Sequence, residues 1–216
     1  MAHHPVNPAD GHLETATLDG KNKVLGFWLF LGAETVLFAC LFGTYLALWG
    51  GHEDFIQKML AENPNLHIPT ADELFQMPLV AVATALLLTS SLTSVLAMGA
   101  MNAGKQKVMQ FWLAVTLILG LAFLGLEIYE FYHYVHEGHT IMSSAFGSAF
   151  YTLVGTHGAH VTFGIIWIFT LMLQTAKRGI NTETAPKLFV STLYWHFIDV
   201  VWVFIFSLVY LLGKVG

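Results

Sequence analysis

Apolar residues along this chain gather in five long blocks separated by polar breaks. They cover approximately residues 24–48, 78–101, 108–132, 146–175 and 189–212. Each is long enough to cross a bilayer core, which takes about 20 residues of helix. The pattern predicts an all-α fold, a polytopic membrane bundle of five transmembrane helices. Residues 1–23 form a polar tail and 24–216 a single domain, with a polar loop at 49–77 between the first two helices. Within that loop Phe55, Ile56, Met59 and Leu60 form one apolar stripe beside Asp54, Lys58 and Glu62, which predicts a short surface helix. Asn63-Pro64 ends it, and Thr70 with Glu73 has capping-box spacing for a further start.

Composition agrees with the pattern. Of 216 residues, 56% are hydrophobic and 11% charged, against about 25% charged in soluble domains. The formal charge of −5 gives no reason to expect nucleic acid binding. The single cysteine, Cys40, lies inside an apolar block, so neither an internal disulfide nor a thiolate metal cluster is on offer. The opening residues are polar and lack an apolar signal core, so the first spanning helix is expected to serve as the insertion signal. With the N-terminus cytoplasmic, Lys21, Lys23, Lys105, Lys107, Lys177, Arg178 and Lys187 are all inside, and only Lys58 and Lys214 outside. That seven-to-two bias predicts an inner N-terminus, an external 49–77 loop and an outer C-terminus.

Ionisable residues interrupt the apolar blocks. An ionised side chain at mid-bilayer costs at least about 2.5–3.5 kcal/mol on the mildest scale, so these groups are expected to face protein. His196 and Asp199 are three apart and share one side of the fifth helix. At about 1.5 Å per residue, Glu34 lies roughly 17 Å beyond Lys23, His196 about 14 Å and Asp199 about 18 Å beyond Lys187. Glu34, His196 and Asp199 are thus expected in one layer, turned toward one another. His160 and His157 follow at roughly 22–27 Å. Glu127, Glu130 and His133 cluster near the outer end of the third helix.

Each group has a structural reading beside a functional one. Glu34 is either a protonated carboxyl bonded to a neighbouring helix or a proton site. His157 and His160 suit neutral imidazoles bridging helices, and His196 with Asp199 suits an interhelical clamp. Glu127, Glu130 and His133 form either a solvated rim or a polar cluster. Trp28, Trp195 and Trp202 suit packing or lipid contact, and the Ser90, Ser94, Ala97 series and Gly155 with Ala159 suit close helix contact. Glu130-x-x-His133 has the spacing of a four-helix di-iron motif, but no second such motif accompanies it. His160 and His196 could in principle flank a haem. A stand-alone haem or metal protein therefore remains an alternative, as does a transporter using Glu34, although no internal repeat is visible.

Three segments carry a family resemblance. Gly26-Phe27-Trp28-Leu29-Phe30-Leu31-Gly32-Ala33-Glu34-Thr35-Val36-Leu37-Phe38, the helix segment around His157-Gly158-Ala159-His160, and the run Tyr194-Trp195-His196-Phe197-Ile198-Asp199-Val200-Val201-Trp202 resemble subunit III of the haem–copper respiratory oxidases. Gly125-Leu126-Glu127-Ile128-Tyr129-Glu130-Phe131 is a looser match. The details are most similar to cytochrome c oxidases of Bacillus-type bacteria in their five-helix form. The resemblance implies a non-redox subunit of a proton-pumping oxidase in the bacterial cell membrane, with no catalytic or metal-binding residue on this chain. Haem and copper would lie in partner subunits. It implies packing against subunit I, association with subunit II and a small subunit IV, bound phospholipid in a cleft, and support of proton uptake. In that family Glu34 occupies the carbodiimide-reactive position. The two leading helices of the mitochondrial form are absent here, and an extension of subunit I commonly supplies them. A menaquinol oxidase subunit III is the alternative within the family.

Overall fold

The computed structural model describes residues 13–49, 77–136 and 145–211. The surface helix and capping box expected within 49–77 lie outside the described residues. After a 3-10 turn at Leu13–Thr15 come α1 (Leu18–Trp49), α2 (Met77–Asn102), α3 (Gln106–His136), α4 (Ala145–Arg178) and α5 (Thr184–Ile205), the last continuing as a π-helical turn over Phe206–Leu211. All five helices are long and apolar enough to cross a membrane. Among the described residues there is no strand, so the all-α membrane bundle is the fold.

Helix ends follow local chemistry. α2 stops at Gly104, whose φ of 68° opens the left-handed region. Its N–H donates to Met101 O at 2.9 Å while Lys105 N–H donates to Ala100 O at 2.9 Å, the paired bonds of a Schellman cap. α4 ends at Gly179, φ 72°, with a single bond from its N–H to Thr175 O. Lys177 and Arg178 in that last turn suit the negative end of the helix dipole.

α5 starts at Thr184, five residues ahead of the sequence expectation. Asn181 organises the turn ahead of it: its Oδ1 accepts from the N–H groups of Glu183 and Thr184, both at 2.9 Å. Thr184 Oγ1 returns the favour by accepting from Asn181 N–H at 3.0 Å. Pro186 falls in the first turn, where its missing N–H has no helical partner to lose. It therefore sits inside the helix instead of ahead of it. α1 likewise begins at Leu18, so part of the expected polar tail is helical.

The helices pack as an arc, α1 on α4, α4 on α3 and α3 on α2, with α5 held against α1, α4 and α2. α5 is accordingly the most buried helix and α1 the most exposed. The reason is shape. α5 brings Tyr194, Trp195 and Trp202, with Tyr210 in the π turn beyond it, all almost fully buried, and its neighbours meet them with small residues. Trp195 lies between Gly120 of α3 and Gly164 of α4. A Cβ on the first would stand 2.8 Å from the ring, and one on the second 3.0 Å. In lipid no hydrophobic effect draws helices together, so close packing of this kind and interhelical hydrogen bonds must do so.

Candidate functional site

The polar groups of the bundle are arranged as stitches between helices. The first joins α1 to α4. Glu34 Oε2 lies 3.0 Å from His160 Nε2, and His160 Nδ1 lies 2.7 Å from Thr156 O, one turn back on its own helix. A carbonyl only accepts, so Nδ1 carries a hydrogen. One further proton then lies between Nε2 and Oε2, and whichever atom holds it, the pair is neutral overall. Phe38 packs edge-on against the imidazole at 5.1 Å, and the Tyr194 hydroxyl donates to His160 O at 3.1 Å. Both ring nitrogens of His160 are therefore committed within the chain.

The second seam joins α5 to α2. Trp195 Nε1 donates to Ser90 Oγ at 2.9 Å, and Trp202 Nε1 donates to Thr84 Oγ1 at 3.0 Å. His196 Nδ1 lies 2.9 Å from Ser91 Oγ, and Asp199 is buried one turn further along α5. Ser91 is thus the α2 partner of His196. Replacing Ser91 with alanine should strip His196 of it. The expected cost is about 1 kcal/mol, near the range measured for interhelical bonds in membranes. The thermal unfolding midpoint of the solubilised protein would register it as a lowered value.

The third cluster lies between α3, α4 and the end of α5. Glu127 and Glu130 are each 4% exposed, so the solvated-rim reading does not hold. Tyr210 donates to Glu130 Oε2 at 3.2 Å. The Glu127 carboxyl rests on Gly158, at 3.0–3.2 Å from where a Cβ would stand. His157 is fully buried, its ring 5.2 Å from that of Trp202 and 6.1 Å from Phe123. His133, next along α3, is half-buried.

The structure separates what the depth estimate grouped. Glu34, expected to face His196 and Asp199, turns instead to His160 on α4, while His196 turns to Ser91 on α2. Height along a helix follows from residue count, but azimuth depends on which helices are neighbours. Trp195 and Trp202 are buried packing residues with bonded indoles, whereas Trp28 is 55% exposed on α1. Sequence reasoning missed Thr84, a lone hydroxyl in an apolar stretch, and Ser91, whose side of the helix differs from that of the Ser90, Ser94, Ala97 series. It also missed Gln110, whose Nε2 donates to Thr175 Oγ1 at 2.6 Å, and Gln106, whose Nε2 donates to Thr175 O at 2.9 Å. Two glutamines four apart on one face near the start of an apolar helix were the available clue. No group of three or more histidine, cysteine or acidic side chains is disposed to hold a metal among the described residues.

Comparison with known proteins places this arrangement in context. A family model described as cytochrome c oxidase subunit III matches residues 9–214. Cytochrome c oxidase subunit 3 of Bacillus sp. (strain PS3) is 62% identical over 201 residues, 93% of this chain and 91% of the relative. Probable quinol oxidase subunit 3 of Staphylococcus saprophyticus is 48% identical over 197 residues, 91% of this chain and 92% of the relative. Quinol oxidase subunit 3 of Bacillus subtilis (strain 168) is 45% identical over 216 residues, the whole of both chains.

Proposed function

Because the chain belongs to the cytochrome c oxidase subunit III family, we propose that it serves its terminal oxidase without a redox centre of its own. It is a subunit III of a haem–copper respiratory oxidase and a multi-pass protein of the bacterial plasma membrane. As such it associates with other oxidase subunits. In the proposed arrangement it packs on subunit I, beside subunit II and a small subunit IV. Haem and copper reside in the partner subunits, and this chain stabilises subunit I and supports its proton uptake. The N-terminus is cytoplasmic and the C-terminus outside, as the basic residues favour.

The observation that carries this reading is the Glu34–His160 stitch. Glu34 and His160, which might have suggested a proton site or a haem ligand, are bonded to each other across α1 and α4, with both His160 nitrogens engaged. Lipid holding is supported by α1 itself. Leu25, Trp28, Leu29 and Val36 expose apolar surface that needs acyl chains or a partner helix against it. Identity of 62% to a cytochrome c oxidase subunit, against 45–48% to quinol oxidase subunits, favours cytochrome c as the electron donor of the complex.

The test is purification from the native membrane through a tag on this chain. Subunits I and II should co-purify, with phospholipid retained, and subunit II should carry a copper site and a cytochrome c domain. The isolated chain should show no Soret band. A haem spectrum on this chain alone would sink the proposal, and a subunit II lacking the copper site would assign a quinol donor.

A further inference from the structure

Four polar atoms in the outer half of the bundle make no hydrogen bond to any described residue: both oxygens of Glu127 and both ring nitrogens of His157. The two side chains are 4% and 0% exposed. They belong to one interface. Phe123 and Glu127, one turn apart on α3, touch respectively the His157 ring and the backbone of Gly158, the next residue on α4. Leaving a buried polar group unsatisfied costs about 1–3 kcal/mol, and more for a charged one. Four such atoms at adjoining positions would burden the fold, since every donor and acceptor of these two side chains is involved, whereas Asp199 and Tyr45 each leave a single buried oxygen without a partner among the described residues. Neither lipid nor a partner subunit can reach groups this deeply enclosed, which leaves water, and a buried water needs two to four polar partners.

We propose that Glu127 and His157 hold one or two ordered waters between them, forming a closed hydration site at the α3–α4 interface. Gly158 is what leaves the carboxyl room to sit there, since a Cβ would approach it to 3.0 Å. The carboxyl and the imidazole offer donors and acceptors that a bridging water can match in either orientation. The aromatic rings of Trp202 and Phe123 wall the imidazole in. The site is a water-completed counterpart of the direct Glu34–His160 bond, which uses the other histidine of the same His157-Gly158-Ala159-His160 run.

The experiment is a cryo-EM map of the whole oxidase complex in lipid nanodiscs, taken where ordered waters are seen at other buried polar groups of the complex. The expected result is density within hydrogen-bonding distance of a Glu127 oxygen and a His157 nitrogen, bridged by one or two waters. The same map of the Glu127→Leu complex should lose that density while the His157 ring stays between Trp202 and Phe123. A direct Glu127–His157 bond, water on only one of the two, or no density at all would overturn the proposal. Should Glu127→Leu fail to assemble, the unmodified complex decides alone.

Discussion

Truncating Trp195 to alanine is expected to be the most damaging single change in the chain, costing about 3–5 kcal/mol. The indole is fully buried and touches three helices at once. Its nitrogen donates to Ser90 on α2, and its six-membered ring separates Gly120 of α3 from Gly164 of α4. Removing it leaves a cavity where lipid cannot follow, and dispersion contacts on every side are lost. The reverse change tests the same fit. A methyl at Gly120 would stand 2.8 Å from a rigid ring whose far edge already abuts Gly164, so the ring cannot retreat and α3 must shift. Overpacking of this kind costs about 1–3 kcal/mol. In a Trp195→Phe background the offending ring atoms are gone, and Gly120→Ala should become nearly harmless. Thermal midpoints of the four complexes form a double-mutant cycle. Additive losses would mean that the ring and the glycine do not constrain each other.

The second large effect is expected at Glu34, and its size should depend on what replaces the carboxyl. His160 Nδ1 is committed to Thr156 O, so Nε2 of a neutral ring is an acceptor. Glutamine can donate an amide N–H to it, whereas alanine leaves it stranded near the α1–α4 seam. Glu34→Gln should therefore assemble into the oxidase complex in normal yield. Glu34→Ala should lose about 1–3 kcal/mol and bring down less of the other oxidase subunits through a tag on this chain. If both variants assembled equally well, the Glu34–His160 bond would have no part in holding α1. Equal failure of both would mean that the pair is held by charge and not by the shared proton.

Both predictions turn on matters of different legibility. The five spans could be read directly, because the number of apolar residues needed to cross a bilayer is set by its thickness and the helical rise. The polar break before α5 was equally local, whereas α4 runs on past the expected end at residue 175 to Arg178, where Gly179 stops it. The start of α5 was read too late, since Pro186 looks like a barrier until Asn181 is seen organising the turn ahead of it. The heights of Glu34, His160, His196 and Asp199 also follow from counting residues, as does the need of each for a protein partner.

What only the tertiary structure decided is direction. Glu34 turns to His160 because α1 lies against α4, while the His196 side of α5 faces Ser91 on α2. The hydroxyls of Ser91, Ser90 and Thr84 acquire meaning only once α2 lies beside α5. Glu127 and Glu130 lie near a membrane surface by sequence, yet packing of α3 against α4 closes over them. Length and polarity act along one helix, and so are written in its residues. Azimuth is settled between helices, by the fit of rings such as Trp195 into gaps such as Gly120 and Gly164.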